Sequence, residues 1–418
     1  MAGAIFVVGG SGTPEQGPVA ALLSTAGWAA AAERVLGRAW VVTPGGVLTA
    51  AEGRRRGSDP VLRSPGRPSM RRRLPTVAKT AVKDALNWRL SRRFDIDPDG
   101  PWAGADVTLV WQRHDLFQTA GLNLARRLKA PSVLFVPAVK VWEAERWGTS
   151  RPGWGRWLER RAERPSLLRA DLVACGSQTV AEQVMRIGVP HERVLVTPTG
   201  VDLELFGEPL DSGPLRRRLG LEGRFVVGWV GSFRRFHALE QAVKATATVP
   251  GATLLLVGDG PERARIEYGA RNLGVPATFT GTVPHHELPA YLGAMDVAVI
   301  LATREAPFHY SPLKLAEYLA AGLPVVAPGT GQLAERLTDG VDAVLVPPHD
   351  VAATAAALRR LQADPEERAR LGKAARAAAE AEWSWDDQVR RVIDALARTP
   401  ARLRGSRSTA SVSGPDHH

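Results

Sequence analysis

The residues best placed to do chemistry lie in the run Ser311-Pro312-Leu313-Lys314-Leu315-Ala316-Glu317-Tyr318-Leu319-Ala320-Ala321-Gly322. Serine suits the N-cap of a helix, proline its first position, and Gly322 its stop. A helix starting at Pro312 leaves the backbone N–H groups of Leu313 and Lys314 without intrahelical acceptors. Together with the helix dipole they form an anion site. Glu317 lies three residues beyond Lys314 and four beyond Leu313, so it shares their face. A carboxylate just behind a phosphate-binding helix start can accept hydrogen bonds from a ribose diol, each worth about 1.5–3 kcal/mol. The competing reading makes Glu317 an ordinary surface glutamate of an amphipathic helix.

Three glycine-bearing turns follow apolar runs in the same half of the chain. They are Gly231-Ser232-Phe233-Arg234-Arg235, Gly258-Asp259-Gly260-Pro261 and Gly281-Thr282-Val283-Pro284. Glycine at a strand end permits close backbone approach to a ligand. One such turn is a weak signal, but their recurrence points to a nucleotide cleft. Arg234, Arg235 and Lys314 could neutralise a diphosphate; the arginines could equally sit in a solvated loop. Near the N-terminus, Gly9-Gly10-Ser11-Gly12 through Gln16-Gly17 resembles a phosphate loop. It matches neither G-x-G-x-x-G nor Walker A, so it is expected to line a cleft and not to form a separate dinucleotide site. His114, flanked by Arg113 and Asp115, either touches a bound substrate or is structural. Glu143 and Glu145 are candidates for an acceptor side, with a surface role the stronger reading of Glu145.

These residues need elements to hold them. Apolar runs at 5–8, 39–43, 107–111, 132–136, 172–175 and 193–197 are predicted buried strands, with helices such as 116–128 and 179–187 between them. Thr179 with Glu182 fits a capping box. A break at 202–220 is followed by strands at 225–230, 253–257, 277–279, 297–301, 324–327 and 343–346. Helices are predicted at 239–248, 262–272, 288–295 and 312–321. Strands alternating with helices imply parallel sheets with right-handed crossovers, hence two doubly wound α/β halves with a cleft between them. Residues 351–398 read as almost all helix, and 401–418 as a disordered tail.

Composition narrows the class. The 418 residues are 44% apolar and 23% charged, which suits a multidomain globular protein. No run approaches the roughly 18 apolar residues of a membrane-spanning helix. The single cysteine, Cys175, excludes an internal disulfide and a cysteine-rich zinc site. The pair His417-His418 falls short of a zinc ligand set. Net charge is +11, and residues 53–93 account for all of it, with thirteen Lys/Arg against Asp59 and Asp84. Such a block attracts anionic lipid, acidic substrate or nucleic acid. With only Trp88 in the block and Phe94 just beyond it as aromatics, single-strand stacking is poorly supported. Residues 53–75, which include four prolines, read as a mobile loop, and 76–93 as a helix.

A family resemblance runs through Ala170-Asp171-Leu172-Val173, then Val196-Thr197-Pro198-Thr199-Gly200-Val201-Asp202 with Phe206 beyond it. It continues in Val257-Gly258-Asp259-Gly260-Pro261, Phe279-Thr280-Gly281 and residues 317–327. In this order, residues 170–385 resemble the family-4 glycosyltransferases of the GT-B fold. Ala120-Gly121-Leu122-Asn123-Leu124-Ala125-Arg126-Arg127-Leu128 looks like one subgroup's pattern.

The resemblance implies two Rossmann-like domains facing across a cleft: an acceptor domain at 1–205 and a donor domain at 206–385. A helix at 386–400 would cross back to the first. It implies a retaining transfer of sugar from a UDP- or GDP-linked donor to a glycan, lipid-linked or small-molecule acceptor, in cell-envelope or exopolysaccharide synthesis. By analogy Glu317 holds the donor ribose, Leu313 and Lys314 receive the diphosphate on backbone N–H groups, and the Gly281–Val283 turn, with Thr282 and Val283, borders the base. His114 approaches the donor sugar. His309 stands eight before Glu317, where the family has the first of two glutamates, and Glu305 is off register. Ser232 and His237 stand where the family usually has Arg and Lys, with Arg234 able to compensate.

The expected catalytic pair is therefore His114 and Glu317. The expected donor-binding set is Gly17, Gly231, Arg234, His237, Gly258, Gly260, Thr282, Val283, His309, Leu313, Lys314 and Glu317. The nucleotide sugar is a substrate, so no cofactor or metal is called for. A cytoplasmic enzyme is expected, with 53–93 as a contact to an anionic membrane surface and no nucleic-acid partner. The alternatives are a nucleotide-sugar epimerase of the same fold and a degenerate GT-B scaffold.

Overall fold

The computed structural model describes residues 2–9, 19–58, 75–146, 151–207, 212–303 and 313–399. Runs of Val, Ile, Leu and Ala buried on both faces form its strands, as a sheet covered by helices on either side requires. In the first half these are β1 (Ala2–Val7), β2 (Arg38–Thr43), β3 (Gly46–Leu48), β4 (Asp106–Arg113), β5 (Ser132–Val136), β6 (Leu172–Cys175) and β7 (Val194–Val196). They form one sheet in the order β3-β2-β1-β4-β5-β6-β7. Every pairing is parallel except β2 with β3.

The second half contributes β8 (Phe225–Val230), β9 (Ala252–Val257), β10 (Ala277–Gly281), β11 (Val297–Val299), β12 (Val325–Pro328) and β13 (Val344–Val346). Their order is β10-β9-β8-β11-β12-β13, parallel throughout. Both sheets reverse direction of progression next to their first strand. Ligands of such sheets bind outside the carboxyl ends at that point, near the loops after β1 and β4 or after β8 and β11.

The segment 351–398 is three helices: Val351–Ala363, Pro365–Glu382 and Trp385–Arg398. Asp350, Asp364 and Ser384 cap their starts by accepting from the N–H groups of Ala353, Glu367 and Asp387. Pro365–Glu382 stays with the second domain, where Arg376 donates to the carbonyls of Ala320 and Phe206. Trp385–Arg398 crosses to the first. Its Trp385 ring lies 5.2 Å from that of Trp28, and Val389, Val392 and Ala395 join the first domain's core. Thr197 Oγ1 donates to Gln388 Oε1 at 2.8 Å. Among the described residues, no helix is long and apolar enough to cross a membrane.

Three local expectations are corrected. The helix predicted at 116–128 begins at Ala120, because Phe117 sits at φ +67° and breaks the path. The cap of the helix Gln178–Ile187 is Ser177, whose Oγ accepts from the Val180 N–H at 3.2 Å. Thr179 already lies inside the helix, so no capping box forms. Strand β3 was unforeseen: of its three residues only Leu48 is buried, too little to register as periodicity. The loop expected at 53–75 lies outside the described residues from 59 to 74, and its first residues end a helix, Ala50–Ser58. The tail from 400 onward also lies outside them.

Candidate active site

The helix Leu313–Ala320 is built into the second domain by its apolar face. Leu315, Ala316, Tyr318, Leu319 and Ala320 are buried. The Tyr318 hydroxyl accepts from the Val230 N–H at 2.8 Å, which ties the helix to the end of β8. Burial pushes that phenol above its ordinary range. Glu317 is only 4% exposed, and its Oε1 lies 2.8 Å from His285 Nε2. His285 follows the turn after β10 and meets the edge of Phe206, ring centroids 5.7 Å apart. A cavity spans the two domains here, with Leu313, Glu317 and His285 on one wall and Ser24, Gly27 and Arg54 on the other. Leu313 packs against the first domain's core. The Glu317 carboxylate thus lines the gap between domains, and the bland surface reading of it fails.

One turn of helix earlier stands Lys314. Its Nζ lies 4.0 Å from the Trp229 ring centroid and is shut off from solvent, with no hydrogen-bond partner among the described residues. Burial pushes its pKa down to about 7, with Glu317 opposing. Gly231, at φ +146°, makes the room: a Cβ there would come within 2.8 Å of Nζ. His237 lies against the same indole, ring centroids 5.2 Å apart. Burial, then Lys314 and Arg234, push the His237 imidazole down to about 2, so it is neutral. Arg234 is exposed on the turn after β8.

Gly258 and Gly260 serve the turns themselves. A Cβ on Gly258, at φ +124°, would sit 1.9 Å from the Gly231 carbonyl oxygen, and one on Gly260 2.7 Å from the Phe233 nitrogen. The close approach these glycines permit in the structure is of one strand-end turn to the next. Gly258 also donates its N–H to the Gly281 carbonyl at 2.8 Å. Thr282 and Val283 are half-buried, and Val283 packs on the second domain's core.

His114 is not brought to this cavity. Its Nε2 lies 2.9 Å from Glu163 Oε1, with both side chains fully buried in the first domain. Glu163 also accepts from the N–H groups of Lys140 and Val141, capping the helix Lys140–Arg146. Through Glu163, His114 braces β4 to that helix, as the structural alternative for this histidine expects. Glu143 pairs with Lys140 at 3.3 Å, and Glu145 is exposed. Gly17, Glu305, His309, Ser311 and Pro312 lie outside the described residues.

Sequence reasoning missed His285 and Glu163. His285 carried a faint signal, a polar residue four beyond the strand-end Gly281. Glu163 carried none: in the charged run Glu159-Arg160-Arg161-Ala162-Glu163-Arg164 it reads as a solvated face. A π-helical turn over Glu159–Glu163 buries it.

Two doubly wound domains, a polar site in the gap and a last helix returned to the first domain define the GT-B architecture. Solved structures share it. Anabaena HepE in complex with UDP has a TM-score of 0.64 at 20% identity, covering 94% of this chain and 99% of that one. Sucrose-phosphate synthase from Thermosynechococcus elongatus has a TM-score of 0.64 at 21% identity, covering 93% and 97%. At such identities the likeness is one of fold. The family model for glycosyl transferases group 1 matches residues 212–378, and that for glycosyltransferase family 4 matches residues 29–205. The chain belongs to the family-4 glycosyltransferases.

Among curated relatives, the 2-deoxystreptamine glucosyltransferase of Streptomyces kanamyceticus is 31% identical over 50% of this chain and 54% of that one. A GDP-mannose-dependent alpha-(1-6)-phosphatidylinositol monomannoside mannosyltransferase of Mycolicibacterium smegmatis is 31% identical over 54% and 62%. The matches span between about half and three fifths of these relatives' length.

Proposed function

We propose that this chain is a retaining glycosyltransferase moving a sugar from a UDP- or GDP-linked donor to a glycan, lipid-linked or small-molecule acceptor. One observation carries the reading: Glu317 faces the interdomain gap, and three residues before it Lys314 holds a buried ammonium with no hydrogen-bond partner among the described residues. That spacing suits a ribose diol on the carboxylate and a diphosphate on the ammonium and the first helix amides. The relatives' glucosyl and GDP-mannose-dependent mannosyl transfers, and the UDP bound to HepE, fit such a donor.

In the reaction the bond from the anomeric carbon to the diphosphate breaks and one to the acceptor oxygen forms. Charge develops on the leaving diphosphate, where preorganised donors act most strongly. Lys314 and the helix start supply them, with neutral His237 packed against the same indole as Lys314. The acceptor hydroxyl's proton goes to the leaving phosphate, which is the nearest base the scheme provides. No resident metal or cofactor enters this reading.

Calorimetry with UDP and GDP on the wild type and on Glu317→Ala tests it. One nucleotide should bind the wild type. Losing two ribose hydrogen bonds to a charged acceptor, about 1.5–3 kcal/mol each, should weaken it roughly 10²- to 10⁴-fold. Failure of both nucleotides to bind the wild type, or unchanged affinity in the variant, overturns the assignment.

A further inference from the structure

The helix Thr76–Ser91 buries polar side chains and leaves apolar ones exposed. Its buried face carries Thr80, Asp84 and Asn87, exposed by 6%, 7% and 4%. Its outward residues include Val77, Val82, Leu86 and Trp88, exposed by 39–47%. A helix packed on a globular core shows the opposite pattern. The rotation is set by specific bonds. Asp84 accepts from Arg151 Nε at 2.7 Å, Arg151 NH2 at 3.0 Å and Trp154 Nε1 at 3.0 Å. Asn87 Nδ2 donates to the Leu116 carbonyl at 3.2 Å, and Gln118 Nε2 to Ser91 Oγ at 3.3 Å. Turning the apolar residues inward would leave the buried Arg151–Asp84 pair unmatched, which is costly.

Cations accompany the outward apolar residues. Lys79, Lys83, Arg89, Arg92 and Arg93 are all exposed, and Arg92 lies over the Trp88 ring at 5.0 Å. The helix's one acidic residue is the buried Asp84. Three residues beyond Trp154, Trp157 is 54% exposed. Exposed apolar side chains with an indole, interspersed with long cations and free of exposed acids, suit contact with an anionic bilayer, with Lys and Arg reaching to its headgroups.

We infer that the outward face of the helix Thr76–Ser91 seats the protein on an anionic lipid bilayer and holds the acceptor rim of the first domain there. The placement follows from the bonds of Asn87 and Ser91, which clamp the helix to the loop between β4 and the helix Ala120–Leu128, at the carboxyl end of the sheet. On the glycosyl-transfer reading, on which this last step rests, the acceptor is drawn from the lipid interface.

Flotation of the full-length chain with phosphatidylcholine vesicles, with and without phosphatidylglycerol, tests the seat. The protein should float with the anionic vesicles and stay behind with the neutral ones. Each cation contributes enough that its removal should weaken partitioning roughly fivefold, so Lys83→Glu with Arg89→Glu should lose at least about twenty-five-fold. Val82→Ser with Leu86→Ser should lose about tenfold and abolish the part that survives high salt. No flotation at low salt overturns the inference, as does flotation that the serine pair leaves untouched. A concentration-dependent dimer lost in the serine pair, or nucleic-acid binding without vesicle binding, assigns the face to another partner and also overturns it. Calorimetry with UDP and GDP without vesicles reads the donor site in the same variants, so failure of the seat and failure of the glycosyltransferase reading are separate results.

Discussion

Affinity for a nucleotide sugar should depend on pH through Lys314. In the free protein its ammonium has no hydrogen-bond partner among the described residues, and burial brings its pKa down to about 7. A diphosphate set against it favours the charged form and returns the pKa toward the ordinary lysine range. The bound state then holds the proton more tightly than the free one, so binding takes up protons and weakens as pH rises through that value. With a free value of about 7 and a bound value well above 9, Kd at pH 9 exceeds Kd at pH 7 by about fiftyfold. Near pH 7 about half a proton should be taken up per donor bound.

Two neighbouring groups do not supply this slope. Burial holds His237 neutral, with a value of about 2, and pushes Tyr318 upward, out of the range. Calorimetry with the preferred nucleotide sugar, in buffers of differing ionisation enthalpy, measures both Kd and proton uptake. Lys314→Met should bind weakly at neutral pH and show no slope. A wild-type Kd constant within about twofold from pH 7 to 9 would refute the reasoning.

Two further perturbations probe the frame of the site. Gly258→Ala places a methyl against the Gly231 carbonyl at a strained backbone angle, and should cost about 3 kcal/mol or more in urea unfolding; a loss below about 1 kcal/mol would mean the turns are free to part. Glu163→Ala should leave His114 Nε2 and the N–H groups of Lys140 and Val141 unpaired, costing about 3–9 kcal/mol at 1–3 per group. A stable variant with reduced kcat would return His114 to the chemistry and refute its role as a brace.

Much of the architecture was legible in the chain. Long Val, Leu and Ala runs between helix-length segments predict parallel strands because both faces of such strands are buried, and β5, β6 and β8 have the predicted bounds. The face that Glu317 shares with Lys314 was legible because helical spacing alone places residues three apart side by side. The misread positions share a cause. The Thr179 cap was displaced by Ser177, two residues away, because backbone conformation decides which hydroxyl can reach a free amide.

Local order alone determined two doubly wound halves and the pairing of Lys314 with Glu317 on one helical face, since both follow from periodicities within a few residues. Tertiary structure decided what those residues meet. It placed His285 against Glu317, set Lys314 over Trp229, turned His114 inward onto Glu163, and rotated the helix Thr76–Ser91 so that Asp84 is covered and Leu86 is bare. Each is a contact between positions 30 or more apart in the chain, or a consequence of one, and the free energy of such a contact depends on burial that no local pattern encodes.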